Sequence, residues 1–356
     1  MSRVAAVAPV LPDHESTQEE IAAELGALIT PDPARRALLE RLHAASGIST
    51  RRTVLPLGAY RDLGGFEAAN DIWIREGTRL AAVALERALA DAGIAPDELD
   101  FLLFTSVTGM AAPSIDARLV PRVGLRSDLR RLPSFGLGCV AGAAGLARVA
   151  DYLDGHPDHV GALVSVELCS LTLQRDDPSM GNLVASGLFG DGAAAAVLVG
   201  EGRVERMAAS VGRPRPRVIG SRSALYPNSE GAIGWDIGAS GFRIVLTAEV
   251  PVAVEANIAE GVDALLGQHG LARDDIDLWI AHPGGPRVID AFAQGLQLPD
   301  AVFAASRRSL AEVGNLSSAS VLHLLADVLD RPAGTRAVLF ALGPGVTSEH
   351  VLLEWS

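Results

Sequence analysis

The sequence predicts an α/β fold built from two duplicated halves. Three observations predict it: an internal repeat, apolar strands that alternate with amphipathic helices, and a composition rich enough in hydrophobic residues to bury a large core. The repeat is the most informative. AGIAPDELDFLLF (Ala92 to Phe104) lies over HGLARDDIDLWIA (His269 to Ala281), with Gly93 on Gly270, Ala95 on Ala272, Asp97 on Asp274 and Asp100 on Asp277. Each copy reads as a helix stopped by Gly, an acidic turn and a buried strand. Further on, GCVAGAAGLARVADYL (Gly138 to Leu153) lies over GNLSSASVLHLLADVL (Gly314 to Leu329), and ALVSV (162–166) and VLFAL (338–342) follow in the same register. Self-similarity on this scale marks a duplicated architecture. The halves are expected at 1–200 and 201–356. Strands this uniformly apolar need helices on both faces, which implies a largely parallel, buried sheet.

The remaining elements follow in order. VAAVAPVLPDHE near the N-terminus is apolar but broken by Pro9 and Pro12. It is too short for a signal peptide or a membrane span, which needs about 18 apolar residues. Helical periodicity over Gln18–Leu28 and Pro33–Ala45 makes residues 1–60 an expected addition over the core. The stretch 201–235, rich in Arg, Pro, Gly and Ser, reads as a connection with surface elaboration. Two cysteines in 356 residues form no disulfide framework and fit a reducing cytoplasm. A net charge of −13 argues against a nucleic-acid partner.

One of those cysteines carries the chemistry. Cys139, in GLGCVAGAAG, follows Gly138 and opens the helix of the first repeat; its counterpart in the second copy is Asn315. A thiol at a helix N-terminus is expected to ionise more readily, because free N–H groups and the helix dipole favour the thiolate. A thiolate nucleophile needs an acid–base partner and donors for an acyl oxyanion. Among eight histidines, His282 stands out, because WIAHPGGP places it at the end of a buried strand before a Gly-rich loop. No spacing suits a metal and no dinucleotide fingerprint sits in a convincing context.

GLGCVAGAAG, LFGDGAAAAVLVG, IAHPGGP, VGNLSSAS and LGPGVTSEHVLLEW together resemble the type III polyketide synthases, the chalcone-synthase-like condensing enzymes of thiolase fold. The resemblance runs from about residue 50 to the end and is carried by motifs in the family's order. It implies a layered α-β-α-β-α arrangement, a Cys139–His282–Asn315 triad, coenzyme A thioesters as substrates, no cofactor and a homodimer. Cys139 would take the acyl group, while His282 and Asn315 would hold the oxyanion formed as malonyl-CoA loses CO₂. Phe189 matches the family's gatekeeper ring. Gly343-Pro344-Gly345 and Ser317 would shape the product cavity, with Cys169 and Thr172 as its wall. Ala112 stands where plant enzymes place a methionine, and Ile244 occupies the place of a second pocket phenylalanine. Arg51, Arg52 and Arg287 are the candidates for the CoA phosphates.

Within the family, TGMAAPSIDARLV, VELCSLTLQRDD and SEGAIGWDIGASGFRIVL are similar to bacterial alkylresorcinol and alkylpyrone synthases. That implies a long fatty acyl-CoA starter extended with malonyl-CoA. The alternatives are malonyl-CoA alone, as in tetrahydroxynaphthalene synthases, and a short acyl starter. A ketoacyl-ACP synthase III-like enzyme would use the same triad, but expects a carrier-protein partner and a basic docking surface. A thiolase-like binding subunit would tend to lose the nucleophile, which is present here.

Overall fold

The computed structural model describes residues 2–207 and 213–356. In chain order the first part runs β1 (Ser2–Val10), β2 (His14–Thr17), α1 (Gln18–Ile29), α2 (Pro33–Ala44), β3 (Thr50–Thr53), α3 (Gly65–Ala92), β4 (Phe101–Thr105), α4 (Ile115–Val123), β5 (Arg130–Ser134), α5 (Ala141–Asp154), β6 (Val160–Leu168), α6 (Met180–Leu188), β7 (Asp191–Gly200) and α7 (Glu201–Met207). The second runs β8 (Pro216–Leu225), β9 (Ile233–Gly238), β10 (Gly241–Leu246), α8 (Glu249–Gln268), β11 (Leu278–Ala281), α9 (Pro286–Leu296), α10 (Ala304–Val313), α11 (Ser320–Asp327), β12 (Arg336–Gly343) and β13 (Thr347–Trp355).

The repeated sequence folds into repeated local structure, down to its hydrogen bonds. α3 ends at Gly93 and α8 is followed by Gly270, both glycines in the left-handed region. Each is succeeded by a 3-10 turn in which an acid reaches back to a backbone N–H, Glu98 to Ala95 and Asp275 to Ala272, both at 2.8 Å. Asp100 then accepts from the Val160 N–H and Asp277 from the Arg336 N–H, both at 2.9 Å. These carboxylates satisfy donors at strand starts that would otherwise be orphaned.

Strands β5-β4-β6-β7-β1 and β11-β12-β13-β8 hydrogen-bond in that order and join where β1 meets β8, at Ser2/Val218 and Arg3/Arg217. Side chains alternate between two buried faces. Leu102 and Phe104 pack with α3, whereas Phe101 and Leu103 face the middle layer. In the other strand group, Leu339 and Ala341 face that same middle layer, with Leu146 of α5 and Leu322 of α11, whereas Val338 and Phe340 pack with α8 and α9. The order of layers is helix, sheet, helix pair, sheet, helix. Each fully buried Leu, Val or Phe contributes about 1.5–3 kcal/mol.

Three expectations need correction. The sheet is mixed rather than largely parallel: β4–β5, β4–β6 and β11–β12 are parallel, but β1–β7, β1–β8, β6–β7, β8–β13 and β12–β13 are antiparallel. Helical crossovers join the parallel strands, and β12 returns to β13 through the turn Pro344–Val346. A strand buried on both faces is apolar whichever way it runs, so its composition carries no direction. Residues 1–60 are not wholly an addition, because β1 lies between β7 and β8 at the seam. The stretch 201–235 is not merely a connection, because β8 pairs with β13 along its length; its residues 208–212 lie outside the described residues.

Candidate active site

Cys139 sits in a 3-10 turn, Gly138–Val140, that runs directly into α5. The small neighbours have steric causes. Gly138 has φ +57°, and a Cβ there would lie 2.5 Å from Pro344 Cδ. A Cβ on Gly142 would lie 2.2 Å from the Ser318 carbonyl oxygen. The cysteine turn therefore abuts the equivalent turn of the second repeat, Ser317–Ala319, which opens α11.

That second turn brings Asn315 and Ser317 to the thiol. Cys139 Sγ donates to Ser317 Oγ at 3.4 Å. Asn315 Oδ1 accepts from the Ser317 N–H at 2.8 Å, and its Nδ2 donates to the Gly284 carbonyl at 3.2 Å. His282 enters the same corner: its own N–H bonds the Phe340 carbonyl, and its ring lies against Gly284. His282 is 2% exposed, and its Nδ1 has no hydrogen-bond partner.

Burial opposes both charges of the expected ion pair. It pushes the Cys139 thiol up to about 12, although hydrogen bonding with Ser317 acts the other way. It pulls the His282 imidazole down to about 3. The helix start alone therefore does not make a thiolate, contrary to the sequence expectation. Burial disfavours each charge on its own, so a thiolate–imidazolium pair would have to form together, each charge offsetting the other's desolvation.

A chamber in front of Cys139 is lined by Val107, Cys169, Phe189, Trp235, Ile244 and Pro344, with Ser317 beside the thiol. A second cavity shares Cys169, Phe189, Trp235 and Ile244 with it and adds Thr172. Of the Gly343-Pro344-Gly345 loop only Pro344 lines the chamber; Gly345, with φ +67°, makes the turn beside it. Ala112 is exposed on the loop between β4 and α4 and does not line the chamber of this single chain. Arg51 is corrected. It is 4% exposed and hydrogen-bonded to Gln18 and to the Phe189 carbonyl, so it offers no surface to CoA phosphates. Burial pulls its pKa to about 10, which leaves it charged at neutral pH. Arg52 is engaged by Glu15. Arg287 is exposed in the first turn of α9, beyond the His282 loop.

Glu167 was missed. It is fully buried and accepts from Ser317 Oγ (3.2 Å), Ser318 Oγ (2.5 Å), Thr108 Oγ1 (3.1 Å), Ser106 Oγ (3.3 Å) and the Val107 N–H (3.1 Å). Burial raises its pKa. A lone acid inside the apolar strand ALVSVEL was the available signal, since an acid is almost never fully buried without partners. Trp235 was also missed; nothing in its local sequence distinguishes a chamber wall from a surface hairpin.

Known proteins resemble this chain in sequence and fold. The family description "Chalcone and stilbene synthases, N-terminal domain" matches residues 2–202, and "Chalcone and stilbene synthases, C-terminal domain" matches 218–355. The chain is 50% identical to a 1,3,6,8-tetrahydroxynaphthalene synthase of Streptomyces peucetius subsp. caesius, over 99% of this chain and 93% of that one. It is 31% identical to an alpha-pyrone synthesis polyketide synthase-like protein of Mycobacterium tuberculosis, over 94% and 86%. The crystal structure of 1,3,6,8-tetrahydroxynaphthalene synthase from Streptomyces coelicolor A3(2), a bacterial type III polyketide synthase, superposes with a TM-score of 0.90 at 34% identity, covering 99% of both chains.

Proposed function

The chain belongs to the chalcone and stilbene synthase family, the type III polyketide synthases, and we propose that it condenses malonyl-CoA alone, as starter and extender, into 1,3,6,8-tetrahydroxynaphthalene. Its fold is the thiolase fold, and its reaction is acyl transfer by decarboxylative Claisen condensation of CoA thioesters, without a cofactor. The substrate reading is the finer step. One observation carries it: identity of 50% across essentially the whole chain to a synthase of that product. The chemistry agrees, because a naphthalene skeleton is a whole number of two-carbon units and needs no separate starter. The long-chain starter expected from the sequence is the second reading. The second cavity, which shares Cys169, Phe189, Trp235 and Ile244 with the chamber, is what supports it.

The residue roles belong to the same proposal, and the geometry above supports them. Cys139 attacks the malonyl thioester as its proton passes to His282, and CoA leaves carrying that proton. For the extender, His282 and the Asn315 amide donate to the thioester oxygen, stabilising the enolate that loss of CO₂ creates. The enolate carbon then attacks the Cys139 thioester carbonyl; the C–S bond breaks, the Cys139 thiolate leaves, and the chain, longer by two carbons, remains on the extender's CoA until it returns to Cys139. Phe189, Trp235 and Ile244 keep the chamber apolar, which disfavours the malonyl carboxylate and favours its loss as neutral CO₂. Arg287 is the remaining candidate for the CoA phosphates. The division at residue 200, with Cys139 in one unit and His282 and Asn315 in the other, belongs to the same proposal. So does a homodimer, supported by the free edge of β5.

Mass spectrometry of products from malonyl-CoA alone, and from malonyl-CoA with a panel of acetyl to long fatty acyl-CoA starters, tests the reading. A tetrahydroxynaphthalene product from malonyl-CoA alone is expected. No product without an added long starter would overturn it in favour of the second reading.

A further inference from the structure

Arg51 is a buried cation for which the condensation chemistry above has no use. It stands on β3, outside the chamber but at the wall of the second cavity, and its environment is specific. Nε donates to Gln18 Oε1 at 3.0 Å and Nη1 donates to the Phe189 carbonyl at 2.6 Å. Nη2 is buried with no partner. Gln18 is held in turn: its Nε2 donates to the Gly187 carbonyl at 2.7 Å and to Ser46 Oγ at 3.0 Å.

The stem of Arg51 packs under the loop that bears Asn315. Gly314 has φ +74°, and a Cβ on it would lie 2.9 Å from Arg51 Cδ. The segment Leu188–Gly190 is laced to the same loop, since the Asn315 N–H donates to the Leu188 carbonyl at 2.8 Å and the Gly190 N–H to the Asn315 carbonyl at 3.0 Å. One side chain thus touches both strips of backbone that present Phe189 and Asn315 to the thiol. The fully buried Asp191 attracts the guanidinium, yet a buried ion with one unpartnered nitrogen is a poor source of stability compared with an apolar side chain of similar volume. Its planar fork, however, fixes two acceptors at a set angle, which suits a geometric role.

We propose that Arg51, oriented by Gln18, is a positioning residue that sets the Phe189 ring and the Asn315 amide relative to each other at Cys139. The inference rests on the roles proposed for those two residues. It acts on the decarboxylation of the extender, where the Asn315 donor must meet the developing oxyanion, and not on the nucleophilicity of the thiol.

The test compares Arg51→Met, Arg51→Lys, Gln18→Ala and Asn315→Ala in the full chain. Each is measured for malonyl-CoA decarboxylation and for alkylation of Cys139 by iodoacetamide. Arg51→Met is expected to lower kcat by about tenfold or more with KM within about threefold, the split expected when a transition-state interaction is lost. Cys139 alkylation stays at the wild-type rate. Arg51→Lys, which can still donate to Phe189, recovers most of kcat, and Gln18→Ala falls between. Wild-type kcat in Arg51→Met while Asn315→Ala is inactive overturns the inference and leaves the site standing. Undiminished decarboxylation in Asn315→Ala overturns the site assignment itself. Equal loss of decarboxylation and alkylation in Arg51→Met and Arg51→Lys also overturns the inference, because Arg51 would then support the fold and not the geometry.

Discussion

The thiol and the imidazole are each neutral on their own account, with Cys139 pushed up to about 12 and His282 pulled down to about 3 by burial. On the proposed roles, reactivity at neutral pH depends on the two acting as one titrating unit. Replacing His282 with Gln removes the ring proposed to take the sulfur's proton and leaves the thiolate without its counter-charge. Iodoacetamide alkylation of Cys139 at pH 7 should fall by about tenfold or more, with the rate profile displaced to higher pH. An unchanged profile in His282→Gln would remove His282 from the pair. The neighbours of this unit were unevenly legible in the sequence. Cys139, Asn315 and His282 were readable because the repeat aligns two helix starts and because a His between a buried strand and two glycines is conspicuous. Arg51 was misread as a surface cation, since Arg51-Arg52 looks like any basic pair; only the tertiary contacts with Gln18 and Phe189 show that the first of the two points inward.

At the scale of elements, the site is made by α5 and α11 meeting through their opening turns. Gly142 is the contact point, and a methyl group there would lie 2.2 Å from the Ser318 carbonyl oxygen and 2.7 Å from Val321 Cγ1. Backbone cannot yield as a flexible side chain can, so Gly142→Ala is expected to destabilise by about 1–3 kcal/mol and to weaken product formation by moving Ser317. Gly155→Ala is the control, because its nearest neighbour would be 3.6 Å away. Thermal melting of the two variants decides: equal midpoints would mean that the helix pair is loosely packed. The sequence made these two helices and their caps legible because Gly stops, acidic turns and apolar spacing are local properties. It did not make strand direction legible, nor the place of β1, because two-sided burial erases the alternation from which orientation is read. Ser2–Val10, expected within an addition over the core, instead joins the two strand groups.

At the scale of the molecule, the sheet ends at β5, which pairs with β4 on one side only. Its residues are largely exposed, with Leu132 at 47%, and Phe135 just beyond it and Met110 on the adjoining loop are similarly open. An uncovered edge bearing large apolar side chains is a template for a further strand. The strand is nonetheless pinned, because Arg131 reaches the fully buried Asp116 of α4 at 2.5 Å. A rigid edge of this kind suits a second copy of the same chain related by a twofold axis, which would continue the sheet and cover both edges with one self-complementary patch. Light scattering on the purified protein should therefore give twice the 37.0 kDa of one chain. Leu132→Lys, which places a charge in the middle of the patch without touching the Arg131–Asp116 pair, should shift the mass toward a single chain while leaving the melting of that chain's core cooperative. A wild-type mass of one chain, or a Leu132→Lys variant that stays at twice that mass, would rule out β5 as the seam between copies.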